Sequence, residues 1–487
     1  MNDYTQHYID GRWVGSEGGH VVEVINPATE QPVSRVVLGT EADVDKAVAA
    51  ARHAADRAID TPKEERLQLL RRIVDEYKAR MPAMAKSISE EMGAPISLSG
   101  TAQVASGLAH LTAGIAALEG FEFEEKVGKN LVLREPIGVV ALITPWNWPL
   151  NQICAKVAPA LAAGNAVVLK PSEQTPGSAH LFAEAVHAAG APAGLFNLVQ
   201  GDGQGVGTAL SRHPEVDMVS FTGSTRAGIQ VAKNAADTVK RVHQELGGKS
   251  ANIILPGAPL ERVLKGAALR LLTNSGQSCI APMRLLVHRS QYDEAIAFLR
   301  TFFEGAQADD PAKEGAHIGP VVNRPQFEKI QGLIQTGIDE GAELVVGGTG
   351  RFGDREAGFY VKPTLFAGVT NDMTIAREEI FGPVLGVIVY DDLDEAIRIA
   401  NDTVYGLAAY VMGDPEQARA VVRRLKAGSV FVNAANLDPN VPFGGYKQSG
   451  NGREFGKFGL EEFTELKGVI GDLPENAPRD IPAEAAA

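Results

Sequence analysis

The spacing of apolar residues changes character near Pro136. Across residues 41–118 apolar side chains recur at helical spacing, as in Val44, Val48 and Ala51, which predicts amphipathic helices. After Pro136, short apolar runs alternate with helical stretches. The apolar runs predict strands at 138–144, 166–170, 195–200 and 218–222. The stretches between them predict helices at 178–189, 205–212 and 228–236. This alternation predicts a parallel sheet with helices on both faces.

A second alternating block follows Gly248. It predicts helices at 260–272, 292–306 and 394–401, and strands at 285–288, 385–390 and 429–433. We therefore expect an α/β protein with two α/β domains. A cleft between two such domains is where ligand sites usually form.

Two further segments show the apolar and polar alternation of β-strands. Residues 121–135 predict a hairpin that turns at Gly128, and residues 463–469 predict a strand. Both could be plain surface elements. An isolated two-stranded ribbon is only marginally stable in water, however, and this favours a partner.

Composition narrows the class of protein. The chain has 487 residues and a formal net charge of −14, which argues against a nucleic-acid partner because a phosphate backbone attracts clustered Lys and Arg. Only two cysteines occur, Cys154 and Cys279, so a disulfide framework is excluded and a reducing compartment is favoured. No signal pattern or apolar run of 18 residues is present, and this predicts a cytoplasmic protein without a membrane partner. Residues 476–487, rich in Pro, Ala and charge, are expected to be disordered.

Two short segments carry the candidate chemistry. Cys279 follows Gly276-Gln277-Ser278, and Glu245 opens the segment Glu245-Leu-Gly-Gly-Lys. A thiol can attack a carbonyl carbon, and a carboxylate can activate water. A lone cysteine is more often a small buried packing residue, which is our prediction for Cys154, and a lone glutamate is usually a solvated surface charge. The local sequences therefore matter more than the two residue types.

Both segments resemble motifs of the aldehyde dehydrogenase superfamily, in its non-acylating, NAD(P)-dependent branch. The resemblance covers nearly the whole chain, from Tyr8-Ile-Asp-Gly-Arg-Trp13 to Pro442-Phe-Gly-Gly-Tyr-Lys-Gln-Ser-Gly450. It implies a Rossmann-like dinucleotide-binding domain, a second α/β catalytic domain and a small β-arm for oligomerisation. The implied ranges are 1–120 and 136–247 for the first domain, 248–447 for the second, and 121–135 with 448–475 for the arm. The resemblance also implies a homo-oligomer, either a dimer or a tetramer.

The resemblance assigns three catalytic residues. Cys279 is the implied nucleophile, and the side-chain amide of Asn147 is the implied oxyanion hole for a thiohemiacetal. Hydride transfer then leaves a thioester, which a water activated by Glu245 hydrolyses to the acid. Asn147 lies between Pro145 and Pro149, so a simple turn former is the alternative interpretation. No metal is implied.

The cofactor signals lie at the ends of predicted strands. Phe221-Thr-Gly-Ser-Thr-Arg-Ala-Gly228 begins at a strand end and opens a helix, where free N–H groups can hold a phosphate, although an ordinary helix cap has the same pattern. Glu173 could accept hydrogen bonds from a ribose 2′-hydroxyl and repel a 2′-phosphate, which favours NAD over NADP. It could also form a plain ion pair with Lys170. The implied cofactor contacts are Ile143, Thr144, Pro145, Trp146, Lys170, Glu173, Gly203, Gly223, Ser224, Leu246, Glu379 and Phe381.

The glycine-rich segment Gly201–Gly207 is a weaker signal. Its glycines do not fit the Gly-x-Gly-x-x-Gly pattern of dinucleotide loops, so we predict a plain flexible turn. The resemblance nevertheless places it near the adenosine of the cofactor.

The resemblance also implies an acyl pocket of mixed character. Its residues are Trp148, Gln152, Ala155, Thr273, Ser278, Ile280, Ala435, Leu437 and Phe443. The set holds no Lys or Arg, which disfavours an aldehyde with an anionic tail, and Ala155 and Thr273 suggest room beyond two carbons. Two alternatives remain. One is an acylating relative that passes the thioester to coenzyme A, which the presence of Glu245 disfavours, and the other is a non-catalytic binding or structural protein with this fold.

Overall fold

The computed structural model describes residues 1–433 and 435–471. The predicted disordered segment 476–487 lies outside the described residues. The strands of the described part are β1 (Asn2–Tyr4), β2 (Gln6–Ile9), β3 (Arg12–Gly15), β4 (His20–Asn26), β5 (Gln31–Leu38), β6 (Glu124–Val127), β7 (Asn130–Pro136), β8 (Val139–Ile143), β9 (Ala166–Lys170), β10 (Phe196–Leu198), β11 (Met218–Thr222), β12 (Arg241–Glu245), β13 (Ala251–Ile254), β14 (Arg284–His288), β15 (Glu343–Val346), β16 (Thr364–Ala367), β17 (Val384–Tyr390), β18 (Ala408–Met412), β19 (Ser429–Val432), β20 (Gly450–Asn451) and β21 (Thr464–Val469).

The α-helices of the same part alternate with these strands from residue 149 onward. They are α1 (Glu41–Ala58), α2 (Lys63–Met92), α3 (Ile96–Leu98), α4 (Val104–Glu119), α5 (Pro149–Ala163), α6 (Pro176–Ala188), α7 (Thr208–Arg212), α8 (Thr225–Ala235), α9 (Leu260–Leu272), α10 (Tyr292–Glu304), α11 (Arg324–Asp339), α12 (Thr374–Arg377), α13 (Leu393–Asn401), α14 (Pro415–Val422) and α15 (Gly456–Glu462). None of the helices in the described ranges is both long and apolar enough to cross a membrane.

The first large sheet has the order β20-β12-β11-β8-β9-β10-β2-β3. Its central strands β12, β11, β8, β9 and β10 are parallel, and β8 and β9 are buried along their whole length. Burial on both faces explains why these strands are continuous apolar runs. The carboxyl ends of neighbouring parallel strands meet at one edge, where ligands of open α/β sheets bind.

The second sheet has the order β15-β16-β17-β14-β13-β18-β19. All its pairings are parallel except that of the edge strand β15. Its apolar core joins β13, β14, β17 and β18 to the helices α9, α10 and α13. The α/β class predicted from the alternating pattern is therefore confirmed.

The predicted hairpin and the last strand form a third, smaller sheet. Strands β6 and β7 turn at Gly128, which has a φ of +62°, and β21 pairs with β7 on its other edge. Strand β20, in contrast, pairs with β12 in the first large sheet. The domain boundaries stay a prediction.

One local expectation is wrong. Residues Gly203–Gly207 form a short π-helical turn that continues into α7 rather than a flexible turn. The side chain of Asp202 caps it by accepting a hydrogen bond from the N–H of Gly205 at 2.6 Å, so a polar side chain fixes a segment whose glycines suggested mobility.

Candidate active site

Three candidate residues lie at the ends of adjacent parallel strands. Asn147 follows β8, Ser224 follows β11, and Glu245 is the last residue of β12. Because these strands run side by side, their carboxyl ends bring the three loops together. Asn147 and Ser224 line a cleft with Cys279, which comes from the loop before β14 of the second sheet. The cleft thus draws its walls from both large sheets.

The cleft contains much of the predicted site. Its lining includes the predicted residues Pro145, Trp146, Asn147, Gln152, Gly223, Ser224, Leu246, Cys279, Glu379 and Phe381. Side chains that the sequence did not single out, Thr222, Gln326 and Lys329, line it as well.

A tight turn presents Cys279. Asn274, Ser275 and Gly276 all have φ between +56° and +76°. A Cβ atom at Gly276 would lie 2.1 Å from the carbonyl oxygen of Gly382, so only glycine fits there. Cys279 itself is half-buried. Burial, with the nearby carboxyl groups of Glu379 and Glu245, raises the pKa of its thiol.

Amide groups fix Asn147 beside this turn. The side chain of Asn147 donates a hydrogen bond to the carbonyl oxygen of Gln277 at 3.1 Å. Its backbone carbonyl accepts hydrogen bonds from the side chains of Gln103 at 3.1 Å and Asn274 at 2.9 Å. A carboxamide has two N–H hydrogens. The second one remains available for the oxygen of an aldehyde carbon bonded to the sulfur of Cys279. The side chain of Asn147 is thus tied to the turn that carries Cys279.

Glu245 is buried behind the cleft rather than in its wall. Within the described residues neither carboxyl oxygen has a hydrogen-bond partner. Nε2 of His243 lies 3.4 Å from Oε1 of Glu245. Burial and the neighbouring carboxyl of Glu454 raise the pKa of Glu245 well above its ordinary value, against the opposing effects of Lys156 and Arg453. A raised pKa makes the ionised carboxylate a stronger proton acceptor.

The glycines after Glu245 bring the two loops into contact. A Cβ atom at Gly248 would lie 2.5 Å from the carbonyl oxygen of Cys279, and one at Gly247 would lie 2.7 Å from Oε2 of Glu379. Glu379 in turn accepts a hydrogen bond from the N–H of Gly248 at 2.8 Å. Side chains at either glycine would push these segments apart, which explains the Gly-Gly pair.

The predicted cofactor residues form two groups. In the first, Trp146 and Phe381 make an edge-to-face contact with ring centroids 5.6 Å apart, and Ser224 caps helix α8 by accepting from the N–H of Ala227 at 3.3 Å. The hydroxyls of Thr144 and Thr222 are buried without a hydrogen-bond partner in the described part of the chain. A helix N-terminus beside unused donors fits a pyrophosphate. Ile143 ends β8 beneath this group.

The second group surrounds Lys170 at the end of β9. Its ammonium group is buried and lies 3.4 Å from Oε2 of Glu173, which is partly exposed. The nearby Gly203 has open space where a side chain would stand. An ion pair that keeps one carboxylate oxygen near solvent leaves an acceptor for ribose hydroxyls. The residues of both groups therefore fit a dinucleotide.

The predicted acyl-pocket residues divide into those near Cys279 and those farther away. Trp148 donates a hydrogen bond to the hydroxyl of Ser278 at 2.8 Å. Ala155 and Phe443 form an apolar cluster with Leu407 and Phe455, against which Cys279 and Ile280 pack. This cluster supplies an apolar wall beside the sulfur.

The structure does not bring Thr273 into this cluster. Its side chain is exposed, donates to the carbonyl oxygen of Leu269 at 2.8 Å, and lines a different surface depression beside Pro95 and Phe302. Ala435 and Leu437 are also exposed. Thr273 directly follows helix α9, and its hydroxyl is turned back to the carbonyl oxygen of Leu269 in that helix.

Several residues of the site gave no signal in the sequence. Gln103 reaches Asn147 and Asn274 from the π-helical turn before α4. Gln326 of α11 donates to the carbonyl oxygens of Ile380 and Phe381 at 3.2 and 3.0 Å. Their distance along the chain hides these contacts from pattern analysis.

Comparisons with known proteins all indicate one family. Residues 13–469 match the model of the aldehyde dehydrogenase family. The chain is 52% identical over 473 residues to 3-succinoylsemialdehyde-pyridine dehydrogenase of Pseudomonas sp., covering 97% of this chain and 99% of that one. A crystal structure of a cysteine-to-alanine mutant of aldehyde dehydrogenase C from Pseudomonas syringae, complexed with NAD+ and octanal, superimposes with a TM-score of 0.95 at 49% identity, covering 97% and 98% of the two chains. The aldehyde dehydrogenase structure from Bartonella henselae gives a TM-score of 0.95 at 46% identity, with 96% and 99% covered.

Proposed function

The chain belongs to the aldehyde dehydrogenase family, and we propose that it oxidises an aldehyde to the carboxylic acid through a thioester on Cys279, with NAD as the cofactor. The observation that carries this proposal is the cleft in which Cys279 and the free amide hydrogen of Asn147 lie beside the residues that fit a dinucleotide. Bound NAD supplies the hydride acceptor for the oxidation. The NAD+ complex of the Pseudomonas syringae relative supports this choice of cofactor.

The protein's own groups account for the remaining chemistry. The thiol of Cys279 releases its proton to solvent as the sulfur forms a bond to the carbonyl carbon, and the carbonyl oxygen takes the negative charge beside the amide of Asn147. When the hydride leaves that carbon, the carbon–oxygen double bond forms again and a thioester results. Once the thioester has formed, Glu245 accepts a proton from the attacking water. The C–S bond then breaks and the acid leaves, and the proton held by Glu245 passes to the sulfur, so that the thiol is restored.

We propose medium-chain or aromatic aldehydes as substrates. The apolar wall of Ala155, Phe443 and Phe455 beside Cys279 supports this, as do the octanal bound to one relative and the pyridine-bearing semialdehyde in the name of another. The acyl-pocket residues that lie near the sulfur include no cation that could pair with an anionic tail.

The first prediction concerns chain length. We expect kcat/KM for NADH formation to rise from acetaldehyde to propanal and hexanal, and benzaldehyde to exceed acetaldehyde. Each methylene that the apolar wall buries should contribute roughly 0.8 kcal/mol, which is about a fourfold gain. A strict preference for acetaldehyde would show that the wall does not contact the substrate.

The same assay separates the alternative functions. An acylating enzyme would need coenzyme A for sustained NADH formation and would release a thioester, whereas the proposed hydrolytic enzyme releases the acid without it. Glu245 favours the second outcome. A protein that binds NAD and aldehydes without forming NADH would instead support the non-catalytic alternative.

The second prediction concerns the choice between NAD and NADP. Glu173→Ser should raise the ratio of NADP to NAD efficiency by about tenfold, because a charge that repels a 2′-phosphate contributes about 1 kcal/mol or more near a protein surface. Glu184→Ser, which removes a charge from the solvent side of α6, is the matched control and should leave the ratio unchanged. If the Glu173 variant also left it unchanged, other residues would set the preference.

We also propose that the chain assembles into a homo-oligomer, a dimer or a tetramer, in the cytoplasm. Strand β6 forms the outer edge of the arm sheet and is exposed along its length. The outer edge of a sheet is a place where a neighbouring subunit can add a strand. The two free cysteines are consistent with a reducing compartment.

A further inference from the structure

A row of buried polar side chains lies behind Glu245. The ammonium group of Lys156 on α5 donates to the hydroxyl of Ser220 at 2.9 Å and to the carboxylate of Glu454 at 2.6 Å. The oxygen of Ser220 lies 2.9 Å from Nδ1 of His243. Nε2 of His243 faces Oε1 of Glu245 at 3.4 Å. Ser220 and His243 stand opposite each other on the paired strands β11 and β12.

Hydrogen-bond chemistry gives this row a consistent direction that starts at Lys156. A lysine ammonium group can only donate, so the oxygen of Ser220 must accept from Lys156. Ser220 keeps its own hydroxyl hydrogen, which it can donate to Nδ1 of His243. A neutral imidazole that accepts at Nδ1 carries its proton at Nε2, which is the atom that faces Glu245.

The imidazole is neutral because its surroundings disfavour a charge. Burial, with Lys156 and Arg453 close by, lowers the pKa of His243 well below its ordinary value. A neutral His243 therefore forms no ion pair with Glu245.

Both facing atoms lack any other partner. Nε2 of His243 and the two carboxyl oxygens of Glu245 are buried without a hydrogen bond in the described ranges. Buried polar groups are nearly always paired, and catalytic hydrogen bonds that are long in a resting enzyme often shorten during turnover. From this geometry we propose that His243, oriented by Ser220, is a positioning residue that holds Oε1 of Glu245 through Nε2–H and leaves Oε2 for the proton of the attacking water. The role as base rests on the proposed function.

The proposal determines the direction of a pH effect. An N–H donor stabilises the ionised carboxylate, so its removal makes Glu245 harder to ionise. The other charged groups that influence Glu245 are Lys156 on α5, Arg453 and Glu454 in the loop before α15, and Glu462 on α15. None of them changes in a His243 variant.

The experiment compares two substitutions at His243. His243→Leu removes the donor, whereas the amide nitrogen of His243→Gln can occupy a place close to that of Nε2. In His243→Leu we expect the acidic limb, the pH at which the rate of thioester hydrolysis falls on the acidic side, to lie about one pH unit higher. One hydrogen bond to a charged group has a free energy large enough for such a shift. Below that limb the rate should fall about tenfold, and at higher pH it should recover. His243→Gln should restore the limb, and Ser220→Ala should shift it part of the way.

A spectroscopic titration gives a readout that does not need turnover. Infrared difference spectra against Glu245→Gln report protonation of the Glu245 carboxyl group, which should also titrate about one unit higher in His243→Leu. The exposed His187 provides the control, since His187→Leu should change neither measurement. An unshifted carboxyl titration in a folded His243→Leu protein, or an equal loss of rate at every pH, would overturn the proposal. A shifted titration in a protein that oxidises no aldehyde would uphold His243 and count against the proposed function instead.

Discussion

Cys279→Ala should abolish NADH formation from every aldehyde while NAD still binds. The substitution removes the thiol that we propose as the nucleophile, so the loss of kcat should be on the order of 10⁴-fold or more. The residues that fit the cofactor lie on other loops, and the tight turn at Asn274–Gly276 does not depend on the thiol. Steady-state NADH formation and calorimetric titration with NAD measure the two effects separately.

Cys154→Ala is the matched control. Cys154 is fully buried within the apolar core on α5, and burial raises the pKa of its thiol well above the ordinary value, so it acts as a small apolar residue. We expect a somewhat less stable protein that keeps its activity. Substantial turnover by Cys279→Ala, or inactivation by alkylation of Cys154 alone, would reverse the two assignments.

The sequence predicted the central elements well because each packs its apolar side chains into a large core. The strands at 166–170 and 218–222 and the helix at 260–272 have the bounds that were predicted. Shorter elements at the edges were missed. Strands β2 and β3, of four residues each, join the first sheet only through the pairing of β2 with β10. A local pattern of four residues contains no information about so distant a partner.

The site was predicted as a set of residues but not as an arrangement. Motifs predicted that Cys279, Asn147 and Glu245 belong to the site. The position of Glu245 next to His243 depends instead on which side chains the folded sheet packs behind it. His243 and Ser220 gave no separate signal, since a histidine and a serine within strands look like ordinary core residues. Their meaning depends on the pairing of β11 with β12, which only the fold supplies.

Glu245→Gln should separate the two halves of the reaction. Glutamine keeps the shape of the side chain but cannot accept a proton from water, so we expect thioester hydrolysis to slow by about 10²- to 10⁴-fold. Thioester formation needs Cys279 and Asn147, and it should survive. Rapid mixing with NAD and hexanal should therefore give one burst of NADH, close to one equivalent per site, followed by little turnover.

The pH dependence sharpens this test. Burial raises the pKa of Glu245, and only the ionised form can act as the base, so the wild-type hydrolysis rate should fall as pH falls through that raised pKa. In Glu245→Gln this limb should disappear because the titrating group is gone. Glu261→Gln, a change to an exposed charge on α9, should keep both the full rate and the limb. If the burst itself were lost in a folded Glu245→Gln protein that still binds NAD, Glu245 would act earlier, by taking the proton from the protonated thiol of Cys279.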